Sequence, residues 1–380
     1  MNNEVFVTLK ACTDYNDDKV LATLSQACEL AGFPQVKGKT VLLKPNILNA
    51  SAPERCTTTH PVVLRAAIRY VRSQGAARIL VGDAPGWQPQ DMAGSKTGLY
   101  QVVQEEGAEW ADFSRGRPVD VAQGKLIRRF TLAEAVGEAE VIISLPKFKT
   151  HGLMYFTGAL KNMFGLIPGL QKSAFHMRFP DRSDFALMLN DLQLAAPTHF
   201  AIMDGIMAME GKGPNSGTPK HLGLIMASRS VYAMDWVASG LIGYKPEDIP
   251  YLGLAVQDLR YGFSPDTIRL NGDPLEQFRP QHFELVKVLH ENDIIRAHVP
   301  DWLHRILKNL LVPRPVFIEK KCIHCAGCVK ICPAKALTFV NGRKAPDIDY
   351  EACIRCYCCD EVCPEKAIEL KKFLWGRGRR

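Results

Sequence analysis

"CIHCAGCVKICP" (residues 322–333) and "CIRCYCCDEVCP" (353–364) are two versions of one stretch. Superposed, they pair Cys322, Cys325, Cys328 and Cys332 with Cys353, Cys356, Cys359 and Cys363, and Pro333 with Pro364. Each run then reads C-x2-C-x2-C-x3-C-P. The second run holds a fifth cysteine, Cys358, which falls opposite Gly327. Counting Cys358 as a ligand gives spacings of two, one and four and breaks the repeat. Cys358 is therefore the spare thiol.

This spacing is the bacterial ferredoxin pattern for 4Fe–4S clusters, in which three thiolates come from one tight loop and the fourth from the other half of the repeat. The expected sets are Cys322, Cys325, Cys328 and Cys363 for one cluster, and Cys353, Cys356, Cys359 and Cys332 for the other. Zinc ribbons also use paired C-x-x-C motifs, but two matched runs, each closed by proline, favour clusters. Cys358 reads more readily as a small buried filler than as a reactive thiol. His324 and Tyr357, lying between ligands, read as loop packing before they read as tuners of potential.

Nine of the twelve cysteines lie between 322 and 363. Such clustering points to metal binding in a reducing compartment rather than to disulfides. Cys12, Cys28 and Cys56 are scattered and read as small buried hydrophobes. The 380 residues are 47% hydrophobic, enough for two or three domains. A net charge of +7, spread along the chain, gives no reason to expect nucleic acid. No run approaches the roughly 18 apolar residues of a membrane span. The start, "MNNEVFVTLKAC", is unlike a signal peptide. A cytoplasmic protein without a transmembrane segment is expected.

Working outward, the ferredoxin-like unit spans 314–372 as a small α+β domain, followed by a basic tail at 373–380 that ends "GRGRR". Before it, "PDWLHRILKNLLVPRP" (300–315) spaces Trp302, Leu303, Ile306, Leu307, Leu310 and Leu311 as a helix, giving a linker at 291–313. Residues 1–290 alternate apolar runs with helical stretches. Strands are expected at "VFVTL" (5–9), "TVLLKPN" (40–46), "RILVGDAPG" (78–86), "VIISLPK" (141–147), "FAIMDG" (200–205) and "HLGLIMA" (221–227). Helices are expected at 61–73, 97–106, 184–195 and 230–241. This order predicts an α/β domain with a largely parallel sheet flanked by helices.

Several of these strands finish in polar residues: Lys44 and Asn46, Asp83, then Lys147, Lys149 and His151, then Asp204 and Glu210. Ligands of open α/β sheets bind beyond the carboxyl ends of the strands, so four loops are expected to build one site. In "TTTHP" (57–61) Thr59 is the expected N-cap and Pro61 the first-turn residue. The free N–H groups of that helix start, beside His60, suit an anion. The chain has no G-x4-G-K-[ST], G-x-G-x-x-G or G-x-S-x-G motif.

"LLKPN", "TTTHP", "VGDAPG", "SLPKFKTHGLMYFTGALKNMFG" and "DGIMAMEGKGPNSGTP" together resemble the family catalogued as domain of unknown function 362, whose members often carry a two-cluster ferredoxin domain. The resemblance implies a recurring block containing Lys147, Lys149, His151, Lys161 and Asn162, but no reaction. Read physically, Lys147, Lys149 and His151 share one face of an extended chain. With Lys161 they are the expected catalytic group, able to neutralise a phosphate, carboxylate or enolate and to supply a general acid. Lys44, Asn46, His60, Asp83, Asn162, Asp204 and Glu210 are the expected ligand-binding group. Of these, Asp83, Asp204 and Glu210 are also candidates for a divalent metal.

Three functions stay open, in descending order. The first is an oxidoreductase passing electrons from two 4Fe–4S clusters, reduced by a redox partner protein, to an anionic small molecule at the strand ends. The second is an electron-transfer or cluster-handling subunit that docks to a partner enzyme. The third is a non-redox enzyme with structural or sensory clusters.

Overall fold

The computed structural model describes residues 4–169, 171–287, 312–340 and 343–371. The helix expected at 301–311 and the basic tail lie outside the described residues.

The large domain is built on a ten-stranded sheet. Its strands are β1 (Val5–Ala11), β2 (Thr40–Pro45), β3 (Arg78–Val81) and β4 (Glu109–Trp110); then, after the β5–β6 hairpin (Gly116–Asp120 and Arg129–Ala133), β7 (Val141–Leu145), β8 (Lys147–His151), β9 (Tyr155–Thr157), β10 (Phe200–Glu210), β11 (Thr218–Ser228) and β12 (Ile268–Gly272). The order is β12-β1-β11-β10-β7-β2-β3-β4. From β10 to β4 every pairing is parallel, whereas β11 runs antiparallel to both β1 and β10. All six expected strands are present, as are the four expected helices, at Pro61–Ser73, Leu99–Glu105, Arg182–Ala195 and Val231–Leu241.

The central strands are apolar on both faces because helices cover both. Val41 and Leu43 of β2 pack with the helices Asp17–Leu30 and Pro61–Ser73, while Leu42 between them joins the core of the opposite face with Leu189 and Met234. Successive side chains of a strand point to opposite sides, so one short run serves two cores.

Pro146 separates β7 from β8. It has no N–H to give to the ladder, and its carbonyl accepts instead from Asp204 N at 2.9 Å. The chain then resumes beside the outer half of β10, with Lys147 opposite Asp204, and turns back as β9. Lysine-bearing β8 therefore extends the sheet past the carboxyl ends of the parallel strands.

The C-terminal unit pairs β13 (Arg314–Phe317) with β16 (Ile368–Lys371) and β14 (Leu337–Thr338) with β15 (Asp347–Ile348). Its two halves repeat at an offset of 31 positions, down to the backbone: left-handed conformations occur at His324, Ala326 and Lys335 and again at Arg355, Tyr357 and Lys366. Short helices, Gly327–Ile331 and Cys358–Glu361, follow the loops. The unit is docked on the large domain. Arg55 Nη1 donates to Pro364 O at 2.5 Å, Asn215 Nδ2 to Cys363 O at 2.7 Å and Lys366 Nζ to Gly217 O at 3.0 Å. A Cβ on Gly327 would lie 2.6 Å from the Trp87 ring, so only glycine admits that contact.

One local expectation is corrected. Thr59 is not the N-cap of Pro61–Ser73; His60 is, its ring accepting from Val62 N, with Pro61 at the first helical position as expected. The Thr59 hydroxyl instead ties two strand ends together, accepting from Asn46 N at 2.8 Å and donating to Leu145 O at 2.6 Å.

Candidate functional site

Lys44 ends β2 and is fully buried. Its ammonium is satisfied by Asp83 Oδ1 at 2.8 Å, Asn162 Oδ1 at 2.7 Å and Pro45 O at 3.0 Å. The pair lies against bare backbone, since a Cβ on Gly165 would stand 1.8 Å from Asp83 Oδ1. Asp83 also accepts from Ile47 N at 2.6 Å. The short helix Ala159–Asn162, which carries Lys161 and Asn162, is too short to persist alone. Asp235 holds it by accepting from Ala159 N at 2.6 Å and Leu160 N at 3.1 Å. Burial raises the Asp235 carboxyl to about 7 in spite of these bonds.

On β8 the three alternating polar residues take different partners. Lys147 Nζ pairs with Asp204 Oδ2 at 2.8 Å and donates to Tyr15 Oη at 2.8 Å; Tyr15 in turn donates to Asp204 Oδ1 at 2.9 Å. Asp204 also accepts from His60 N at 2.9 Å, so the helix start expected to take an anion is filled by an internal carboxylate. The His60 ring stacks on Tyr15 at 3.5 Å and is pushed down to about 4 by burial. Among the described residues Lys149 Nζ, itself buried, meets only neutral acceptors, Asn46 Oδ1 and Thr57 O, each at 2.6 Å. Burial, and then the Lys147 and Lys161 charges, lower it to about 7.

His151 Nδ1 accepts from Leu153 N at 3.0 Å and Met154 N at 3.3 Å. A nitrogen that accepts twice carries no proton, so the ring is the neutral Nε2–H tautomer. Burial holds it well below the usual histidine range. Nε2 faces Glu361 Oε1 at 3.4 Å.

These residues line two adjoining cavities. The larger, about 650 Å³, is bounded by Lys44, Asp83, Lys161, Lys172, His176 and Glu361, among others. The smaller, about 350 Å³, is bounded by Lys147, Lys149, His151, Thr157, Lys161 and Glu361. Asn46, Leu48, Lys161, Asn162 and Glu361 border both. Lys161 has no hydrogen bond or ion pair among the described residues; its ammonium sits over the faces of Phe164 (4.8 Å) and Phe185 (5.6 Å). Lys172 Nζ donates to Ala84 O and to Pro85 O, the latter at 2.9 Å, and is lowered to about 8 by burial.

Of the eleven residues expected at the strand ends, Lys44, Asn46, Asp83, Lys147, Lys149, His151, Lys161 and Asn162 border the cavities. Asp204 and His60 stand behind Lys147. Glu210 is elsewhere: it accepts from Glu284 N at 2.9 Å and lies 4.0 Å from Lys220. Asp83, Asp204 and Glu210 therefore do not converge on a divalent cation. Among the described residues no three His, Cys, Asp or Glu side chains are grouped to ligate one ion. Sequence reasoning missed Tyr15, Lys172, His176 and Glu361. For Glu361 there was a signal: it replaces Lys330 of the first half-repeat, an inversion of charge in an otherwise matched pair of runs.

The eight matched cysteines line two further cavities, of about 340 and 370 Å³. One is bounded by Cys322, Cys325, Cys328 and Cys363, together with Phe317 and Phe339. The other is bounded by Cys332, Cys353, Cys356 and Cys359, and also by Cys358. Backbone N–H groups point at equivalent sulfurs, Ala336 N at Cys332 Sγ (3.3 Å) and Ala367 N at Cys363 Sγ (3.2 Å). Cys358 borders both its cysteine cavity and the larger lysine-lined cavity. It is a wall between the two.

Comparison with known proteins agrees with this arrangement. Residues 314–364 match the 4Fe-4S dicluster domain, so the class is that of iron–sulfur proteins with a ferredoxin-type unit. Residues 41–240 match the family described as "Domain of unknown function (DUF362)", and the chain belongs to that family. It is 33% identical over 268 residues to a "Thylakoid-associated protein" of Synechocystis sp., covering 70% of this chain and 82% of that one. Among solved structures, the lactate racemase apoprotein of Thermoanaerobacterium thermosaccharolyticum matches with a TM-score of 0.36 and 16% identity, over 52% of this chain and 50% of that one. A structural-genomics protein of Thermotoga maritima matches with a TM-score of 0.31 and 15% identity, over 54% and 53%. The chain thus spans about half the length of each. No helix among the described residues is long and apolar enough to cross a membrane.

Proposed function

We propose that this protein is a cytoplasmic oxidoreductase that takes electrons from a redox partner protein into its ferredoxin-type unit and delivers them to an anion held among the strand-end lysines. The observation that carries the reading is the position of Cys358, which walls a four-cysteine cavity on one side and the lysine-lined cavity on the other.

Two 4Fe–4S clusters, when bound, supply one-electron transfer in each half of the unit. Four thiols from crossed runs surround each cavity, and after the left-handed residues Lys335 and Lys366 the Ala336 and Ala367 N–H groups point at Cys332 and Cys363 sulfur, where they stabilise thiolate. These are the features a cubane requires.

The remaining chemistry belongs to this chain's own side chains. Lys161, Lys149 and Lys172 bring positive charge that no carboxylate among the described residues contacts directly, so they attract and orient an anion. Lys44 is neutralised by Asp83 and serves to position Asn162. A two-electron reduction that adds two hydrogens to the bound anion consumes two protons. Lys149 Nζ, lowered to about 7, and Lys172 Nζ, lowered to about 8, are placed to hold them near neutral pH. Packing of the ferredoxin-type unit over the strand ends limits the access of water to the lysines.

The reading is tested by reducing the iron-loaded protein with dithionite without oxygen, removing the excess and adding candidate anions while cluster absorbance is followed. Reoxidation that disappears in Lys161→Met, with iron content unchanged, supports it. Tight binding of an anion without any reoxidation would leave the docking-subunit reading in its place.

A further inference from the structure

Glu361 is the one acidic side chain that the ferredoxin-type unit contributes to both lysine-lined cavities among the described residues. Its backbone is not free to withdraw it. Asn215 Nδ2 holds the neighbouring Asp360 and Cys363 carbonyls at 3.4 and 2.7 Å, and Cys359 and Cys363 belong to the cysteine cavities. One carboxylate oxygen, Oε1, stands 3.4 Å from His151 Nε2. No lysine lies within ion-pair distance of either oxygen among the described residues; burial raises the carboxyl, and the Lys161, Lys149 and Lys172 charges act against that and favour the carboxylate. Space for a ligand therefore separates a fixed acceptor from three cationic donors.

We infer that this site selects protic oxyanions, those that carry a hydrogen on or beside the charged group, as hydrogen phosphate does, over aprotic ones such as sulfate, and that Glu361 imposes the choice. The inference rests on the proposed reading of the cavities as an anion site and adds the ligand class. A carboxylate offers only lone pairs on the side facing the ligand, whereas lysine offers only N–H. An oxyanion bridging the two meets donors on its lysine side and an acceptor on its Glu361 side. If the oxygen on that side carries a hydrogen, it donates to Glu361 in a short charge-assisted bond. If it does not, two acceptors of like charge abut between largely buried side chains, and no rotation of a tetrahedral ion relieves this. The other buried carboxylate at the cavity, Asp83, is already committed to Lys44 and Ile47 N and makes no such demand.

The test is titration calorimetry of the iron-loaded protein with inorganic phosphate and with sulfate at matched ionic strength and pH 7. The expected result is that phosphate binds about tenfold or more tightly than sulfate, the scale set by one unmet charged hydrogen bond. In Glu361→Gln, whose amide can donate, the preference should vanish through a gain in sulfate binding. Glu361→Asp, which keeps an acceptor, should keep the preference. Iron and sulfide contents of each variant verify that the unit is assembled. Equal affinities in the unaltered protein would overturn the inference while leaving the anion site standing. Binding of neither ion would remove the anion reading itself. A preference that survives in Glu361→Gln would show that another residue imposes it.

Discussion

His151 Nε2 lies 3.4 Å from Glu361 Oε1, joining the lysine-bearing strand of the large domain to the helix that follows the second cysteine loop. The contact fixes what each residue can do. His151 is held as the neutral Nε2–H tautomer by the two backbone N–H groups at its Nδ1, so on the proposed reading it orients a ligand and proton supply falls to the lysines.

Anaerobically purified protein should contain about eight iron and eight acid-labile sulfide per chain, as two 4Fe–4S centres imply. Metal analysis and the visible spectrum check this. About two zinc ions, without charge-transfer absorption, would refute the cluster assignment.

Cys358 and Cys359 border the same cavity, but only Cys359 stands where Cys328 stands in the other half. Cys358→Ser should therefore keep its full iron content, and Cys359→Ser should lose or convert one cluster. Because Cys358 also walls the lysine-lined cavity, its replacement should alter reoxidation by an anion without altering iron. Equal iron loss in the two variants would make Cys358 a ligand.

Phosphate binding should weaken as pH rises above about 7. Lys149 is lowered to about 7 and Lys172 to about 8, so the empty site sheds protons across that window. An arriving anion favours the charged ammonium, and binding therefore takes up protons. Affinity is greatest below about 7 and falls as the lysines discharge. Without ligand the sign is opposite for stability: lysines depressed in the folded state bind fewer protons than in the unfolded chain, so stability rises with pH between about 7 and about 10.4. Calorimetry in buffers of different ionisation enthalpy measures the uptake, and Lys149→Met should reduce it.

Asn215→Ala should loosen the docked unit. It removes the donor to the Cys363 carbonyl at 2.7 Å and breaks the Asn49 bond at 2.9 Å. An acceptor left unmet in a buried interface costs about 1–3 kcal/mol. Thermal melting of the iron-loaded protein should register the loss, and reoxidation by an anion should slow at unchanged iron content.

Gly165→Ala should damage the site from behind. Its methyl group would collide with Asp83 Oδ1 and approach Lys44 Nζ at 2.7 Å. Separating that buried pair leaves uncompensated charge, at a cost of about 3–5 kcal/mol. Denaturant unfolding measures it, and a wild-type midpoint would contradict the packing described.

The sequence alone determined the features that depend on local pattern. Cysteine spacing and the matched prolines implied the crossed ligand sets, because a repeat of fixed length leaves one register in which all eight agree. Apolar runs flanked by helical stretches implied the parallel sheet, because strands buried on both faces have no polar side to show. Gathering of Lys44, Asp83, Lys149 and Asn162 followed from the rule that parallel strands end on one edge. Tertiary structure decided the rest. Glu210 left the site because β10 runs on past Asp204 for six residues, about 20 Å of strand at ~3.3 Å per residue. Tyr15 entered the Lys147–Asp204 pair from the other end of the chain, and Lys172 and His176 from a helix whose sequence marks no site. Cys358 and Glu361 acquired their meaning only when the second half of the ferredoxin-type unit was laid over the strand ends. Spacing fixes what one loop can hold. Which surface that loop then covers depends on packing between residues far apart in the chain, such as His151 and Glu361 or Arg55 and Pro364, and no local pattern encodes it.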